Sequence, residues 1–264
     1  MRRLPVAAFV ALAVATVAAF FVTQHLKVTT PLIAGTPIPF PGSINPVNGR
    51  VCRVQSPRGV KERISFKRMA ISFYLLHRSD AVDVYIVDPA GTTLRTLASD
   101  QPMRVRQRRL FYWFGREQDG SVAPDGTYYI RVSLIHQGRS ILISNLAGVA
   151  EPVTVDTLAP HPRVMSVTPN LIPRSGAKVT IRYTGSLGLR GRILIYRTDL
   201  SRRPRLVKSY ASGPGASSIW DGRIGGLPAP PGAYVLALEV TDRACNTGRS
   251  PSAGAPANAT VTVR

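Results

Sequence analysis

The sequence predicts an all-β protein made of two tandem antiparallel β-sandwiches that follow one apolar N-terminal helix. Three observations lead to this prediction. Short apolar runs with a period of two are separated by turn residues along a chain that has 22 Gly and 22 Pro among 264 residues. The phrase from Ala123 to Val132 returns from Ala229 to Leu238. One uncharged run, from Leu4 to Val22, precedes both copies.

The first element is a predicted single-pass membrane anchor over residues 1–27. As an α-helix, Leu4–Val22 would be about 28 Å long, close to the thickness of the hydrocarbon core of a bilayer. Arg2 and Arg3 would keep the N-terminus cytoplasmic and place the rest of the chain outside the cell membrane, in an extracytoplasmic position. A cleaved signal peptide, which would leave the chain secreted, is the alternative; the bulky Phe-Phe-Val that ends the run disfavours cleavage there.

The second element, residues 28–49, is predicted to be a stiff, extended tether. Five prolines and three glycines lie between Thr29 and Gly49. Because proline lacks the backbone donor that a helix or a central strand needs, these residues disfavour both structures. The tether would connect the membrane to the first sandwich.

The remaining chain divides into two copies of one fold. Trp113 and Trp220 lie about 107 residues apart, which is a domain-sized period. A strand, a polar turn and a second strand precede each Trp, and in the first copy Val82, Val84 and Ile86 would share one face. We therefore expect one sandwich over residues 50–156 and another over 157–264.

The repeated phrase is interpreted as architecture. Each copy combines a Trp for the core, a Gly that permits positive φ, a Pro-x-Gly turn, and a Tyr whose hydroxyl can bond back to a loop. The alternative is a sugar-binding site built on the aromatic rings. The residues are Trp113, Gly115, Pro124, Gly126 and Tyr128 in the first copy, and Trp220, Gly222, Pro230, Gly232 and Tyr234 in the second.

The order of these features resembles the Ig-like domain named for the flagellar hook-capping protein, FlgD, which is a sandwich module of secreted bacterial proteins. The second copy matches better, with WDGRIGGLPAPPGAYVLALEVTD, whereas the first has Phe114 where the family usually has Asp. The resemblance covers most of residues 60–250. It implies two Ig-like or fibronectin-III-like sandwiches with a structural or adhesive role, and it implies no flagellar role.

The chain is strongly basic, with 34 Lys and Arg against 14 Asp and Glu, a net charge of +20. We expect contact with an anionic cell-envelope polymer or with headgroups, since Arg suits such groups. A solvated surface in a protein with an Arg-rich composition is the alternative. A nucleic-acid partner is not expected outside the cell, because no stacking motif accompanies the charge. The candidate contacts are Arg104, Arg106, Arg108 and Arg109, predicted to lie on a strand, and Arg202, Arg203, Arg205 and Lys208, predicted at a hairpin tip.

The sequence predicts no catalytic, cofactor-binding or metal-binding residues. It has no paired His or Cys at metal-ligand spacing, no phosphate-binding loop and no nucleophile elbow. A calcium ion at the turn from Asp242 to Asn246 is a minor alternative. We therefore expect a non-enzymatic, membrane-anchored structural, adhesion or scaffolding protein. The alternative is an accessory docking subunit of an envelope enzyme or transporter.

Cys52 and Cys245 are the two cysteines of the chain. A disulfide is permitted outside the cytoplasm and requires Cα atoms within about 7 Å. Pairing within one chain predicts that the sandwiches fold back side by side, because two sandwiches strung end to end would hold these positions apart. A bond between chains, which would give a dimer, and free thiols are the alternatives.

Overall fold

In the computed structural model the described part of the chain contains one α-helix, α1 (Arg3–Thr29), followed by strands and one short 3-10 turn. The structure describes residues 3–29, 31–35, 38, 42–48, 51–55, 61–145, 148–186, 188–213, 215–252 and 254–264. Arg2, part of the predicted topology signal, lies outside this set. Among the residues described, no helix has both the length and the apolar character needed to cross a bilayer. The membrane-spanning anchor therefore stays a prediction from the sequence.

The first half of the chain folds into a sandwich of two sheets. The three-stranded sheet has the order β1-β5-β8, and the larger sheet has the order β2-β11-β9-β6-β7 with β10 also paired to β9. The hairpin β3–β4 lies between β2 and β5 in the sequence and forms its own two-stranded sheet. The strands are β1 (Ile33–Gly35), β2 (Ser43–Ile44), β3 (Val51–Gln55), β4 (Lys61–Ser65), β5 (Met69–Leu75), β6 (Asp80–Val87), β7 (Thr93–Met103), β8 (Arg109–Trp113), β9 (Gly126–Leu134), β10 (Arg139–Leu142) and β11 (Val153–Val155).

The second half repeats this strand order. Its sheets have the orders β12-β14-β17 and β13-β22-β20-β15-β16, with β21 also paired to β20 and a small extra hairpin of β18 and β19. A 3-10 turn, Ala257–Ala259, precedes the last strand. The strands are β12 (Arg163–Thr168), β13 (Leu171–Ile172), β14 (Val179–Thr184), β15 (Arg190–Arg197), β16 (Arg205–Ala211), β17 (Ser217–Trp220), β18 (Arg223–Ile224), β19 (Leu227–Pro228), β20 (Gly232–Thr241), β21 (Thr247–Ser250) and β22 (Thr260–Val263).

Each half has its own hydrophobic core. The first core runs from Leu32 to Val155 and the second from Val164 to Val263. The alternation that predicts strands places every second residue in these cores, as in β5, where buried and partly buried residues alternate along the strand. The all-β prediction is therefore confirmed.

The predicted tether is wrong for the described part of residues 28–49. Ile33–Gly35 forms β1 against β5, and Ser43–Ile44 forms β2, parallel to β11. Leu32, Ile38 and Ile44 belong to the first core, so the sandwich begins well before residue 50. Short edge strands tolerate proline because one side of their backbone needs no partner, and this is why a Pro-rich stretch can still join a sandwich.

The first sandwich has two ends, which we call the near end and the far end. The near end is where the chain enters β1, and it contains residues 31–32, the turn 76–79, the loop 104–108 and the turn 135–138. Backbone hydrogen bonds tie these segments together: the Leu76 amide donates to Leu32 (3.0 Å) and the Arg106 amide to Leu75 (2.8 Å). The far end contains Asn45, where β2 ends, and Asp156, where β11 ends.

The two sandwiches meet end to end. The turn Asp242–Asn246, which joins β20 to β21, corresponds to the near-end turn between β9 and β10, and it contacts Asn45 and Asp156 at the far end of the first sandwich. No strand of one half packs extensively on a strand of the other among the described elements. The side-by-side arrangement expected from an intramolecular disulfide is therefore wrong, for a reason that the cysteine positions explain below.

Candidate interaction surfaces

The repeated phrase makes the same contacts in both sandwiches. In the first, the Trp113 and Tyr128 ring centroids lie 5.4 Å apart, and the Tyr128 hydroxyl donates to the Pro124 carbonyl at 2.7 Å. In the second, the Trp220 and Tyr234 centroids lie 5.6 Å apart, and the Tyr234 hydroxyl donates to the Pro230 carbonyl, also at 2.7 Å. Both Trp rings are fully buried, so their faces serve the cores and offer no stacking surface to a sugar.

The glycine after each Trp is fixed by backbone conformation and by space. Gly115 has φ +65° and Gly222 has φ +68°, in the left-handed region that favours glycine. A Cβ on Gly115 would lie 2.9 Å from the side chain of Pro46, and one on Gly222 would lie 2.7 Å from the backbone oxygen of Ala177. The Trp-x-Gly motif therefore lets another segment of the chain approach the end of the strand closely, through a side chain at Gly115 and through backbone at Gly222.

A disulfide between Cys52 and Cys245 joins the sandwiches, with a Cα–Cα distance of 6.1 Å. Cys52 lies on β3, in the hairpin inserted after the far-end residue Asn45, and Cys245 lies in the turn between β20 and β21. Neither cysteine lies at an outer end of the strand order, because β1 and β2 precede Cys52 and β21 and β22 follow Cys245. Both cysteines thus lie at the junction, and end-to-end sandwiches can be bonded.

Hydrogen bonds surround the disulfide, and we call the set the joint: Asn45, Cys52, Asp156, Cys245 and Asn246. The side-chain amide of Asn45 donates to the Asn246 side chain, and both residues are buried. Asn246 also donates to the Asp156 carbonyl at 3.0 Å. A buried amide pair of this kind is costly to break, because each amide would lose its partner without gaining water. The joint therefore opposes bending between the sandwiches.

The joint is electrostatically unfavourable in one respect. Burial, and then the charges of Asp242 and Asp125, raise the pKa of Asp156 above its ordinary value. The Asp242 carboxylate accepts hydrogen bonds from the amides of Ala244 and Asn246 and so shapes the turn. Within the described part of the chain, no three acidic, His or Cys side chains converge as metal ligands, at this turn or elsewhere.

Only Arg109 of the first predicted arginine cluster lies on a strand. β7 ends at Met103 and β8 begins at Arg109, so residues 104–108 form a loop that leads into β8. We call this loop, together with Arg109, the arginine loop. The Arg106 backbone has φ +58°, and this breaks the alternation that would place three Arg side chains on one face. All four arginines are exposed, and no ion pair between described residues involves them.

The near end gathers further positive charge around the arginine loop. Arg78, in the turn 76–79, is also exposed, and Arg139, the first residue of β10, is half-buried. The acid closest to these turns is Asp80, which is buried and accepts hydrogen bonds from the His136 amide (2.9 Å), the His136 ring (2.7 Å) and Gln137 (2.9 Å). Burial alone would raise the pKa of Asp80, but these hydrogen bonds outweigh it and lower the pKa.

The second predicted cluster lies at the opposite end of the molecule. Arg202 and Arg203 are exposed at the tip of the β15–β16 hairpin, and Arg205 is exposed where β16 begins; we call these three residues the distal tip. Lys208 does not share this role, because its ammonium group binds the Asp221 carboxylate at 2.6 Å and the Arg223 carbonyl at 2.8 Å. The structure therefore separates the predicted basic residues into two surfaces.

Sequence reasoning missed a partly exposed apolar row on β8 and the residue that follows it. Leu110 and Phe114 remain 50% and 45% exposed, and Tyr112 between them packs under the guanidinium of Arg68 at 4.3 Å from the ring centroid. A period-two reading of LFYWF would have placed Trp113 inward and its two neighbours outward. Phe114, at the position where the resembling family has Asp, lies on this outer row.

Two β-sandwiches with one strand order, each with a buried Trp and a Tyr bonded to the preceding turn, make up the described strands of this chain. Residues 62–138, within the first half, match the family model of the FlgD Ig-like domain. No match is found among the curated proteins.

Solved structures give distant similarities. One is dimeric latent PorU from Porphyromonas gingivalis, with 15% identity and a TM-score of 0.29 over 74% of this chain. Another is a mutant Salmonella alpha-2-macroglobulin, with 11% identity and a TM-score of 0.27 over 75% of this chain. The matched region spans 18% and 14% of those two chains, so this chain corresponds to a small part of each.

Proposed function

We propose that this chain is a non-enzymatic scaffold or adhesion protein of the cell envelope, in which two Ig-like sandwiches form a stiff rod outside the membrane. The joint is the observation that carries this proposal. Domains within one chain move relative to each other unless their interface is large, yet here a disulfide and a buried Asn45–Asn246 pair restrain the junction. A restrained junction suits a protein that holds a surface at a set distance.

The disulfide also supports the extracytoplasmic location. Such bonds persist in oxidising compartments and are rare in the cytosol. The N-terminal sequence supports attachment through residues 1–27, with Arg2 and Arg3 on the cytoplasmic side. Carbonate extraction of membranes tests the attachment: an anchored chain stays in the pellet, and a chain that starts beyond residue 22 and is found in the medium would show cleavage instead.

The second sandwich is proposed to be another copy of the FlgD Ig-like domain. Its strand order and its Trp220–Tyr234–Pro230 contacts, which repeat those of the matched half, support this assignment. The end-to-end arrangement places the distal tip at the far end of this second copy, because β15 and β16 correspond to β6 and β7. Two sandwiches of eight-residue central strands would hold the tip roughly 50 Å from the near end.

The distal tip is the proposed contact with an anionic envelope polymer. Retention of the chain on isolated cell wall should fall steeply with salt. It should fall about tenfold in an R202Q/R203Q/R205Q variant, since three surface ion pairs at about 0.5 kcal/mol each sum to about 1.5 kcal/mol. The matched control, R104Q/R106Q/R108Q, removes the same charge from the arginine loop and should retain wild-type binding.

Equal losses in the two variants would show that only net charge matters, and the proposed role of the distal tip would then be wrong. Retention that does not respond to salt would exclude electrostatic binding altogether. An accessory role beside an envelope enzyme or transporter is the competing proposal. Stoichiometric co-purification of such a complex in mild detergent, with no retention on cell wall, would favour it.

A further inference from the structure

We infer that the arginine loop is a lipid-contact surface that binds anionic phospholipid headgroups at the point where the rod leaves the membrane. This inference rests on the proposed anchoring of residues 1–27. Its first support is position. α1 ends at Thr29, and Pro31 is already part of the near end, because its carbonyl accepts a hydrogen bond from the His77 ring at 2.9 Å.

The connection between α1 and the near end is short. One residue lies between Thr29 and Pro31, so the Cα atoms of these two residues are at most about 7 Å apart. The helical residues after Val22 add about 10 Å beyond the uncharged run. Headgroups occupy several ångströms of that distance. The remaining gap is about one Debye length, roughly 8 Å at physiological ionic strength, and long Arg side chains reach further across it.

Hydrogen bonds hold the arginine loop on this end of the sandwich. The Arg106 amide donates to the Leu75 carbonyl at 2.8 Å, and the Val105 amide donates to the Ser79 hydroxyl at 3.0 Å. Leu75 is adjacent to Leu76, whose amide donates to the Leu32 carbonyl. The loop is therefore fixed beside the segment that follows α1, and it cannot turn towards the second sandwich.

The chemistry of the loop suits a bilayer surface better than a soluble polymer. Its arginines are exposed, and no described acid pairs with them. Between them, Val105 is 40% exposed, and Leu110 beside them is 50% exposed. Cations flanking small apolar groups match the boundary between headgroups and acyl chains. The distal tip has no such position, since it lies at the other end of the rod.

The test measures how fast each arginine reacts with phenylglyoxal in the full-length chain, reconstituted into vesicles of phosphatidylcholine alone or with added phosphatidylglycerol. Mass spectrometry gives the rate for each labelled peptide. In the anionic vesicles we expect arginine-loop labelling to slow at least about fivefold relative to the distal tip, the effect of about one bound arginine. About 0.5 M salt should remove most of this protection.

The same vesicles separate failure of this inference from failure of the anchoring. If the chain floats with neutral vesicles and the loop-to-tip labelling ratio is equal in both lipids, the membrane anchor is supported and the lipid-contact surface is wrong. If the chain floats only with anionic vesicles, and R104Q/R106Q/R108Q abolishes this flotation while R202Q/R203Q/R205Q does not, the membrane anchor is wrong and the lipid-contact surface is supported. Flotation with neither vesicle overturns both. The labelling arm uses the wild-type chain, so it does not depend on how the variants fold.

Discussion

Replacing both cysteines of the joint, C52S/C245S, should destabilise each sandwich without altering either core. The bond lies outside both hydrophobic clusters and links elements of different halves. Its main effect is therefore on the unfolded state of one sandwich while the other remains folded. The double replacement avoids leaving a single reactive thiol.

The size of the effect follows from the loop that the disulfide closes. Consider the state in which the second sandwich is unfolded and the first remains folded. The disulfide then closes a loop of about 90 residues, from Asp156 at the far end of the first sandwich to Cys245. The chain-entropy relation gives about 4.6 kcal/mol at 25 °C for such a loop. For the first sandwich, the loop from Cys52 to Asp156 is slightly longer and gives about 4.8 kcal/mol. For domains near 100 residues, a change of this size lowers Tm by about 20 °C.

Differential scanning calorimetry of the oxidised full-length chain and the variant measures this directly, with the reduced wild-type chain as the control for the serine side chains. Both transitions should fall, and the reduced chain should resemble the variant. A fall of less than about 3 °C in both transitions would refute the loop argument. Two reactive thiols in the native wild-type chain would show that the bond is absent.

Two further predictions concern backbone fit and charge. Gly222→Ala should lower the free energy of unfolding by about 3 kcal/mol, because of the left-handed backbone and the close approach of Ala177. Gly126→Ala should lower it much less, since a Cβ at that position meets nothing within 4 Å. Denaturant unfolding measures both losses, and equal losses would contradict this reasoning. Asp80→Asn should lower the free energy of unfolding by about 2 kcal/mol at pH 7. Because the pKa of Asp80 is lowered in the folded state, this loss should be complete above about pH 4 and should vanish as the pH falls through the folded pKa. A loss for Asp80→Asn that is unchanged between pH 7 and pH 2 would show that the carboxylate charge does not stabilise the fold.

The sequence predicted the elements whose signals are local. Period-two runs identified strands, and the repeated Trp-x-Gly and Pro-x-Gly-x-Tyr phrases are the residues whose contacts recur in both sandwiches. The sequence misread residues 28–49, because proline content argues against central strands and is silent about short edge strands such as β1.

The arrangement of the sandwiches could not be predicted, because it depends on which end of a sheet each turn occupies. The positions of Cys52 and Cys245 along the chain suggest opposite ends of the protein, yet a two-residue strand and an inserted hairpin bring them together. The arginine loop was misplaced for a related reason. A positive φ at Arg106 is not visible in a run of residues that all tolerate strands.

Distance limits what charges at one end of the first sandwich can do at its other end. Exposed arginines lie at the near end. At the far end, burial and then the charges of Glu117, Asp125 and Asp88 raise the pKa of Tyr128. An eight-residue strand separates the ends by about 26 Å, several Debye lengths, so the far-end acids would not sense a membrane at the near end. Their effect is local instead: Asp125 and Asp242 act on Asp156 within the joint, where a covalent bond holds the sandwiches together against that repulsion.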